Sequence, residues 1–240
     1  MIRLEGLTKR FGELTAVDHL DLEVAPGEFF AFIGPNGAGK TTTIKLIAGL
    51  LKPSEGRITL CGHDVQKDYL VSKSLLSYIP DQPYLYDKLT GREFLSFVGS
   101  MYDLPSQEIK SKLSRLSETF ELDGFIDELC ETYSHGMKQR VVVTAALLHD
   151  PKVIVVDEPM VGLDPKGVNT LKRVLKDCAA AGATIFMSTH TLGLAEEVAD
   201  RVGIINRGRL IALGPLDDIR RLARTDGRLE EAFLRLTEEA

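Results

Sequence analysis

Gly34-Pro35-Asn36-Gly37-Ala38-Gly39-Lys40-Thr41 fits the spacing G-x-x-x-x-G-K-[ST], and a second threonine, Thr42, follows it. Glycines at these places let backbone N–H groups turn inward around phosphate oxygens, and a helix starting there adds its positive end. Lys40 then reaches the outer phosphates, and Thr41 offers a hydroxyl to Mg²⁺. With glycine near 7% of residues, the pattern arises by chance in a chain of this size roughly once in a hundred. The context is also the required one. Glu28–Ile33 is nearly all apolar, as suits a strand buried on both faces, and Ile44, Leu46, Ile47, Leu50 and Leu51 follow at helical spacing. The residues predict nucleotide binding.

Two further segments carry chemistry. Val153-Ile154-Val155-Val156 is an apolar strand ending in adjacent carboxylates, Asp157 and Glu158. Successive strand residues point to opposite sides, so the two divide the work: Asp157 faces Mg²⁺, directly or through water, and Glu158 polarises an attacking water. Ser134 opens a helix that continues as Val141-Val142-Val143-Thr144-Ala145-Ala146-Leu147-Leu148. It is a good N-cap, and the free amides behind it form a second anion site, with a merely well-capped helix as the alternative.

These residues need a scaffold, and the chain supplies an α/β pattern. Strands are predicted around Ile2–Leu4, at Leu20–Val24, Arg57–Cys61, Leu76–Ile79, Val153–Val156, Thr184–Met187 and Val202–Ile205. Helices lie between the later ones, including one after Pro165 with Val168, Leu171, Leu175 and Cys178 on one stripe. From about 83 to 150 the texture is helical, and Ile109, Leu113, Leu116 and Phe120 share one face. The predicted organisation is one domain over 1–240. Its core sheet runs over 1–82 and 151–240, and a helical subdomain is inserted at about 83–150. Phe94 and Phe97 read as core.

Composition sets the outer limits. The 240 residues are 44% hydrophobic and 27% charged, with a net charge of −6 and no basic tail, which argues against nucleic acid as a partner. Cys61, Cys130 and Cys178 form no CxxC pair and read as small core residues of a reduced cytosolic protein. The N-terminus has no signal-peptide pattern, and no run approaches the roughly 18 apolar residues of a spanning helix. His19, His63, His135 and His149 show no metal spacing and read as surface or packing residues.

Taken together, the motifs resemble the ATP-binding subunits of ABC transporters, from about Ile2 to Thr237. GPNGAGKTT at 34–42 is the phosphate loop and VIVVDEP at 153–159 the Walker B strand. Gln82 resembles the Q-loop glutamine, and SHG at 134–136 the signature. GLDP at 162–165 is similar to the D-loop, with Asp164 at its centre, and STH at 188–190 ends in a switch-like histidine, His190. Phe11, in KRFG, stands where the family has an aromatic that stacks on adenine. One motif departs: the usual signature is LSGGQ and this chain has YSHGM, keeping Ser134 and Gly136 while His135 and Met137 replace glycine and glutamine. That form is familiar in exporters with separate ATPase and membrane chains, and LEEAFLRLTEE at 229–239 is similar to their short closing helix, so no extra regulatory domain is expected.

The resemblance implies a P-loop NTPase core sheet with an N-terminal antiparallel β part and the inserted helical subdomain. It implies ATP and Mg²⁺ as cofactors, with Thr41, Gln82 and Asp157 around the metal and Glu158 and His190 acting on the attacking water. Two copies, or this chain and a paralogous ATPase chain, pack head to tail, each giving Ser134 and Gly136 to the partner's nucleotide. A separate membrane permease docks near Gln82–Tyr86, where Tyr84 and Tyr86 border the groove for its cytoplasmic helix. The chain then sits in the cytoplasm, peripheral on the inner face of the membrane, and drives export. The alternative is a soluble, non-transport ABC ATPase acting as an ATP-dependent dimerisation switch.

Overall fold

The computed structural model describes residues 1–238. In chain order, a hairpin of β1 (Ile2–Phe11) and β2 (Leu14–Val24) is followed by β3 (Phe29–Ile33), α1 (Lys40–Ile47), β4 (Glu55–Leu60), β5 (His63–Asp64), α2 (Tyr69–Leu75) and β6 (Leu76–Ile79). Then come α3 (Gly91–Met101), α4 (Ser106–Phe120), a 3-10 turn at Cys130–Thr132, α5 (His135–Leu147) and β7 (Val153–Asp157). The chain continues through α6 (Pro165–Ala180), β8 (Thr184–Thr189), α7 (Leu192–Val198), β9 (Arg201–Asn206), β10 (Arg209–Gly214), α8 (Leu216–Leu222) and α9 (Leu229–Glu238). The closing helix expected over 229–239 is therefore present to Glu238; Glu239 and the domain end at Ala240 lie outside the described residues.

The strands form two sheets, an antiparallel one in the order β2-β1-β4-β5 and a larger one in the order β10-β9-β3-β8-β7-β6. Within the larger sheet β9, β3, β8, β7 and β6 are parallel, and β10 is antiparallel to β9. Every residue of β3, β7 and β8 is buried, the signature of a parallel sheet covered on both faces. Alternation along these strands distributes their side chains between cores. Phe30, Phe32, Val153, Val155 and Phe186 pack with α1 and the antiparallel sheet, whereas Phe29, Ile154, Val156, Ile185 and Met187 pack toward α3–α6. Ala31 and Ile33 meet α7, α8 and α9 in a third core. α5 belongs to both regions: its start lies in the helical block, and Val141–Leu148 are buried against the sheet.

Several expectations change. α1 ends at Ile47, because Gly49 turns the chain at φ +67, and Leu50, read as helical, is exposed. Cys61 is not core: it sits exposed in a turn at φ +51, while Cys130 is buried and Cys178 half-buried. Phe97 is exposed rather than core, and only Phe94 packs against the interior. No helix among the described residues is long and apolar enough to cross a membrane.

Where α5 meets β7, His149 stacks on Tyr102 with ring centroids 3.6 Å apart and planes 7° from parallel. Its Nε2 lies 3.4 Å from Ser77 Oγ, and its buried Nδ1 has no hydrogen-bond partner. Burial pushes the ring's pKa down from 6.5 to about 4. The fold thus accepts the neutral ring, so this stability is complete above pH 6.5 and lost as pH falls toward 4. Between pH 7.5 and 5 the wild type should lose about 2 kcal/mol more than His149→Phe, which keeps the stack and cannot protonate. Urea unfolding at the two pH values measures the difference; equal losses would disprove the assignment.

Candidate nucleotide site

The phosphate loop is shaped by what surrounds it. A Cβ on Gly34 would lie 2.3 Å from the carbonyl oxygen of Ile205, and one on Gly39 would lie 2.4 Å from that of Ala16. Gly39 also has φ +110, so glycine is required there twice over. It is the N-cap of α1 and makes no side-chain cap, leaving the first amides of the helix for an anion. Pro35, Asn36, Gly37 and Ala38 complete the turn, with the Ala38 amide donating to the Pro35 carbonyl at 3.1 Å. Thr41 and Thr42 follow Lys40 in the first turn of α1.

Lys40 folds back over the loop, and its Nζ donates to the carbonyls of Gly34 at 2.7 Å and Pro35 at 3.1 Å. Burial lowers its pKa, and the charges of Glu158 and Asp157 pull it back up. The two carboxylates are thus close enough to act on the ammonium. Among the described residues, the hydrogen-bond partners an incoming phosphate displaces from Nζ are these carbonyls.

β8 holds the carboxylates. The register sets Asp157 opposite Ser188, and the Ser188 hydroxyl donates to Asp157 Oδ1. Glu158 leaves the strand in the left-handed region, at φ +47. That conformation is costly for a side chain with a Cβ and recurs at functional sites. Glu158 Oε2 accepts from Thr189 Oγ1 at 3.3 Å, and His190 Nδ1 lies 2.8 Å from Oε1. The two carboxylates do diverge, but through this change of backbone and not through strand alternation alone.

Asp157 carries the test for a metal. Its Oδ2 is buried without a hydrogen-bond partner. Burial pushes its pKa up, the Ser188 hydroxyl draws it down, and the Thr41 hydroxyl acts the same way more weakly. A buried orphan carboxylate oxygen beside a hydroxyl is an oxygen donor set that fits Mg²⁺. Gln82, exposed on the loop after β6, lines a cleft of about 550 Å³ together with Asp81, Tyr133, His135, Lys138 and Glu158. Among the described residues, no hydrogen bond ties Gln82 to Thr41 or Asp157.

The signature residues face elsewhere. Ser134 caps α5, accepting from the Met137 amide at 3.3 Å, and its own hydroxyl proton is left over. A Cβ on Gly136 would lie 2.8 Å from the carbonyl oxygen of Gly162, so this glycine is pressed against the D-loop of its own chain. Asp164 caps α6 through the Gly167 amide at 3.1 Å and pairs with Arg140 at 2.9 Å, and these two contacts lower its pKa. Phe11 stands at the end of the hairpin that sets Ala16 against Gly39. It pairs with Leu14, is 46% exposed, and carries the Lys9 ammonium 5.0 Å above its ring.

A family model described as ABC transporter matches residues 17–161, more than half of the chain. The chain belongs to the ABC transporter family. The linearmycin resistance ATP-binding protein LnrL of Bacillus subtilis is 36% identical over 219 residues, which are 91% of this chain and 70% of that protein. A solved ATP-binding subunit of an ABC transporter superposes with a TM-score of 0.94 at 35% identity, covering 99% of each chain. A dimeric post-hydrolysis ATP-binding cassette bound to ADP and Pi superposes with a TM-score of 0.82 at 26% identity, over 90% of this chain and 99% of that one. The fold is that of an ABC ATPase: a P-loop NTPase sheet, an antiparallel β part and a helical region.

Sequence reasoning missed the residues of this ABC cassette that aim the motifs. Ser188 and Thr189 stood in the STH motif without roles, although pairing two apolar strand ends in parallel would have faced a hydroxyl to a carboxylate. His135, read as surface or packing, has Nε2 3.2 Å from the Val161 carbonyl oxygen. Gln139 and Arg140 carried no signal beyond helix surface.

Because burial raises the Asp157 pKa, folding disfavours its ionised form. The cost is present above the ordinary carboxylate range and fades as pH falls toward 3.8. Asp157→Asn keeps an acceptor for Ser188 and presents an amide to Thr41. It should therefore raise stability at pH 7, without added metal, and the gain should shrink on acidification. Denaturant unfolding of both proteins checks the sign; a loss of stability at pH 7 contradicts it.

Proposed function

We propose that the chain is the ATP-hydrolysing subunit of an exporter, dimerising head to tail on ATP and acting through a separate membrane permease at the cytoplasmic face. The observation that carries the reading is Glu158, held by Thr189 and His190 beside Lys40 at the end of the buried sheet. The phosphates of ATP take the Lys40 ammonium from the Gly34 and Pro35 carbonyls and lie on the amides at the start of α1, while the adenine stacks on Phe11. The Thr41 hydroxyl, Asp157 and Gln82 would hold Mg²⁺, which would supply positive charge to neutralise the phosphates. Glu158 orients water and accepts its proton as it attacks the γ-phosphate. With Nδ1–H committed to Glu158, His190 turns its Nε2 side to the γ-phosphate.

Ser134 supports a composite site. Its hydrogen bond runs to α5, and its spare proton serves the nucleotide of a second copy or of a paralogous ATPase chain, together with Gly136 and the D-loop Asp164. The core is assigned to 1–82 and 151–240 and the helical subdomain to about 83–150, a division supported by the position of α3, α4 and α5 between β6 and β7. A name given for linearmycin resistance favours export over a soluble dimerisation switch.

Tyr84 is 76% exposed and sits edge-on to Tyr86, which meets Phe94 and Phe97 in the same way. This exposed aromatic patch beside Gln82 is assigned to the permease, since such side chains give large contact area at low entropic cost. Tyr84→Ala combined with Tyr86→Ala should lower co-purification with a co-expressed permease and leave ATP affinity unchanged. Normal co-purification of the double variant would refute the docking surface.

The composite site has its own test. Lys40→Ala should cost roughly 1.5–3 kcal/mol of ATP binding. Glu158→Gln should retain ATP, lose most turnover and persist as a dimer on gel filtration with ATP and Mg²⁺. Ser134→Arg should bind ATP as a monomer and not hydrolyse it. Mixed with Lys40→Ala protein, it forms heterodimers in which one site carries both lesions and the other neither, and phosphate release should partly return. Full activity of Ser134→Arg alone would falsify the contact in trans.

A further inference from the structure

We propose that His135 positions the loop that follows Glu158, holding the Val161 carbonyl of its own chain from inside the signature. The proposal rests on the ATPase reading above and adds a residue to it. A carbonyl only accepts, so the 3.2 Å contact from His135 requires Nε2 to carry the proton and donate.

The loop from Glu158 to Asp164 needs such support. Its own turn bonds are long: the Val161 amide to the Glu158 carbonyl at 3.4 Å, and the Leu163 amide to the Met160 carbonyl at 3.3 Å. It starts at φ +47 and turns again at Gly162, φ +81. The first turns of α5 supply what these bonds do not. His135 and Gln139, one helical turn apart and so on one face, reach the carbonyls of Val161 and Pro159, each at 3.2 Å. Arg140, beside them, pairs with Asp164 at 2.9 Å. Gln139 is fully buried, and the hydrogen bond its side chain makes is the one from Nε2 to the loop.

Packing ties His135 to this loop independently of the hydrogen bond. A Cβ on Gly162 would lie 1.9 Å from His135 Cδ2, so the imidazole fills the space that a side chain at 162 would need. Gly136 closes on the Gly162 carbonyl from the next position. A glycine at 135, as in the usual signature, makes neither contact. The histidine thus links the segment offered to a partner's nucleotide with the loop that carries Glu158 in the same chain.

The experiment compares the full-length wild type with His135→Ala and His135→Gln, whose side-chain amide reaches as far as Nε2. Hydrogen exchange of the 158–164 segment without nucleotide should quicken about three- to tenfold in His135→Ala, as expected for one lost hydrogen bond, and return to within about twofold in His135→Gln. Under saturating ATP, kcat should fall by a similar factor and be rescued by glutamine, with KM for ATP unchanged. Gly162→Ala should cost less activity in a His135→Gly background than in the wild type. Unchanged exchange in His135→Ala overturns the proposal. So does a rise in KM with kcat preserved, which would place the ring on the partner's nucleotide. Absence of ATP hydrolysis by the wild type would defeat the ATPase reading alone, because the exchange measurement does not depend on turnover.

Discussion

The parallel register of β7 against β8 governs the chemistry of this protein. β8 lies between β3, which leads into the phosphate loop, and β7, which ends in the carboxylates. Ser188 and Thr189 at the end of β8, and His190 just after it, are thereby brought to the carboxylates, and each offers a donor. Without those donors, two carboxylates at the ends of buried strands would lose hydration with nothing to compensate it. A one-residue slip would turn Asp157 toward a different core and leave Ser188 without a partner. The location also follows a general rule for open parallel sheets, which bind ligands beyond the carboxyl ends of their strands.

The helical block depends on the same sheet through α5. Its second half is buried all round, which fixes the axis, and its first turn therefore arrives at a set place beside the loop after Glu158. Gln139 and Arg140 are committed inward to that loop, while Ser134 at the tip keeps a free hydroxyl proton. One helix thus carries both the Ser134 cap at its start and a clamp on the loop after Glu158. Glu121, at φ +55 on the end of α4, receives Lys166 of α6 and lies 3.7 Å from Arg140, joining a third helix to the same place.

Among the left-handed non-glycine residues, Glu158 is the one that stands at the candidate site. Glu158 sits in the left-handed region with its carboxylate tied at both oxygens, a conformation that only a surrounding structure can maintain. The phosphate loop is equally constrained, since neighbouring carbonyls leave no room for a side chain at Gly34 or Gly39.

Much of this was legible in the residues alone. The alternating and fully apolar runs gave the strands, because burial on one face or two imposes a period on sequence. The phosphate loop, the paired carboxylates and the capped helix were legible because each needs particular side chains at fixed local spacing. What the sequence left open depends on pairing between distant segments. Leu50 and Cys61 looked like interior residues, and only Gly49 and a left-handed turn placed them outside. Phe97 shared a helical period with the core yet faces solvent, because the period does not say which side of a short helix finds a partner. The roles of Ser188, Thr189 and His135 could not be read either. A hydroxyl or an imidazole becomes the holder of a carboxylate or a carbonyl only when strand register and helix docking bring together groups 26 to 31 residues apart.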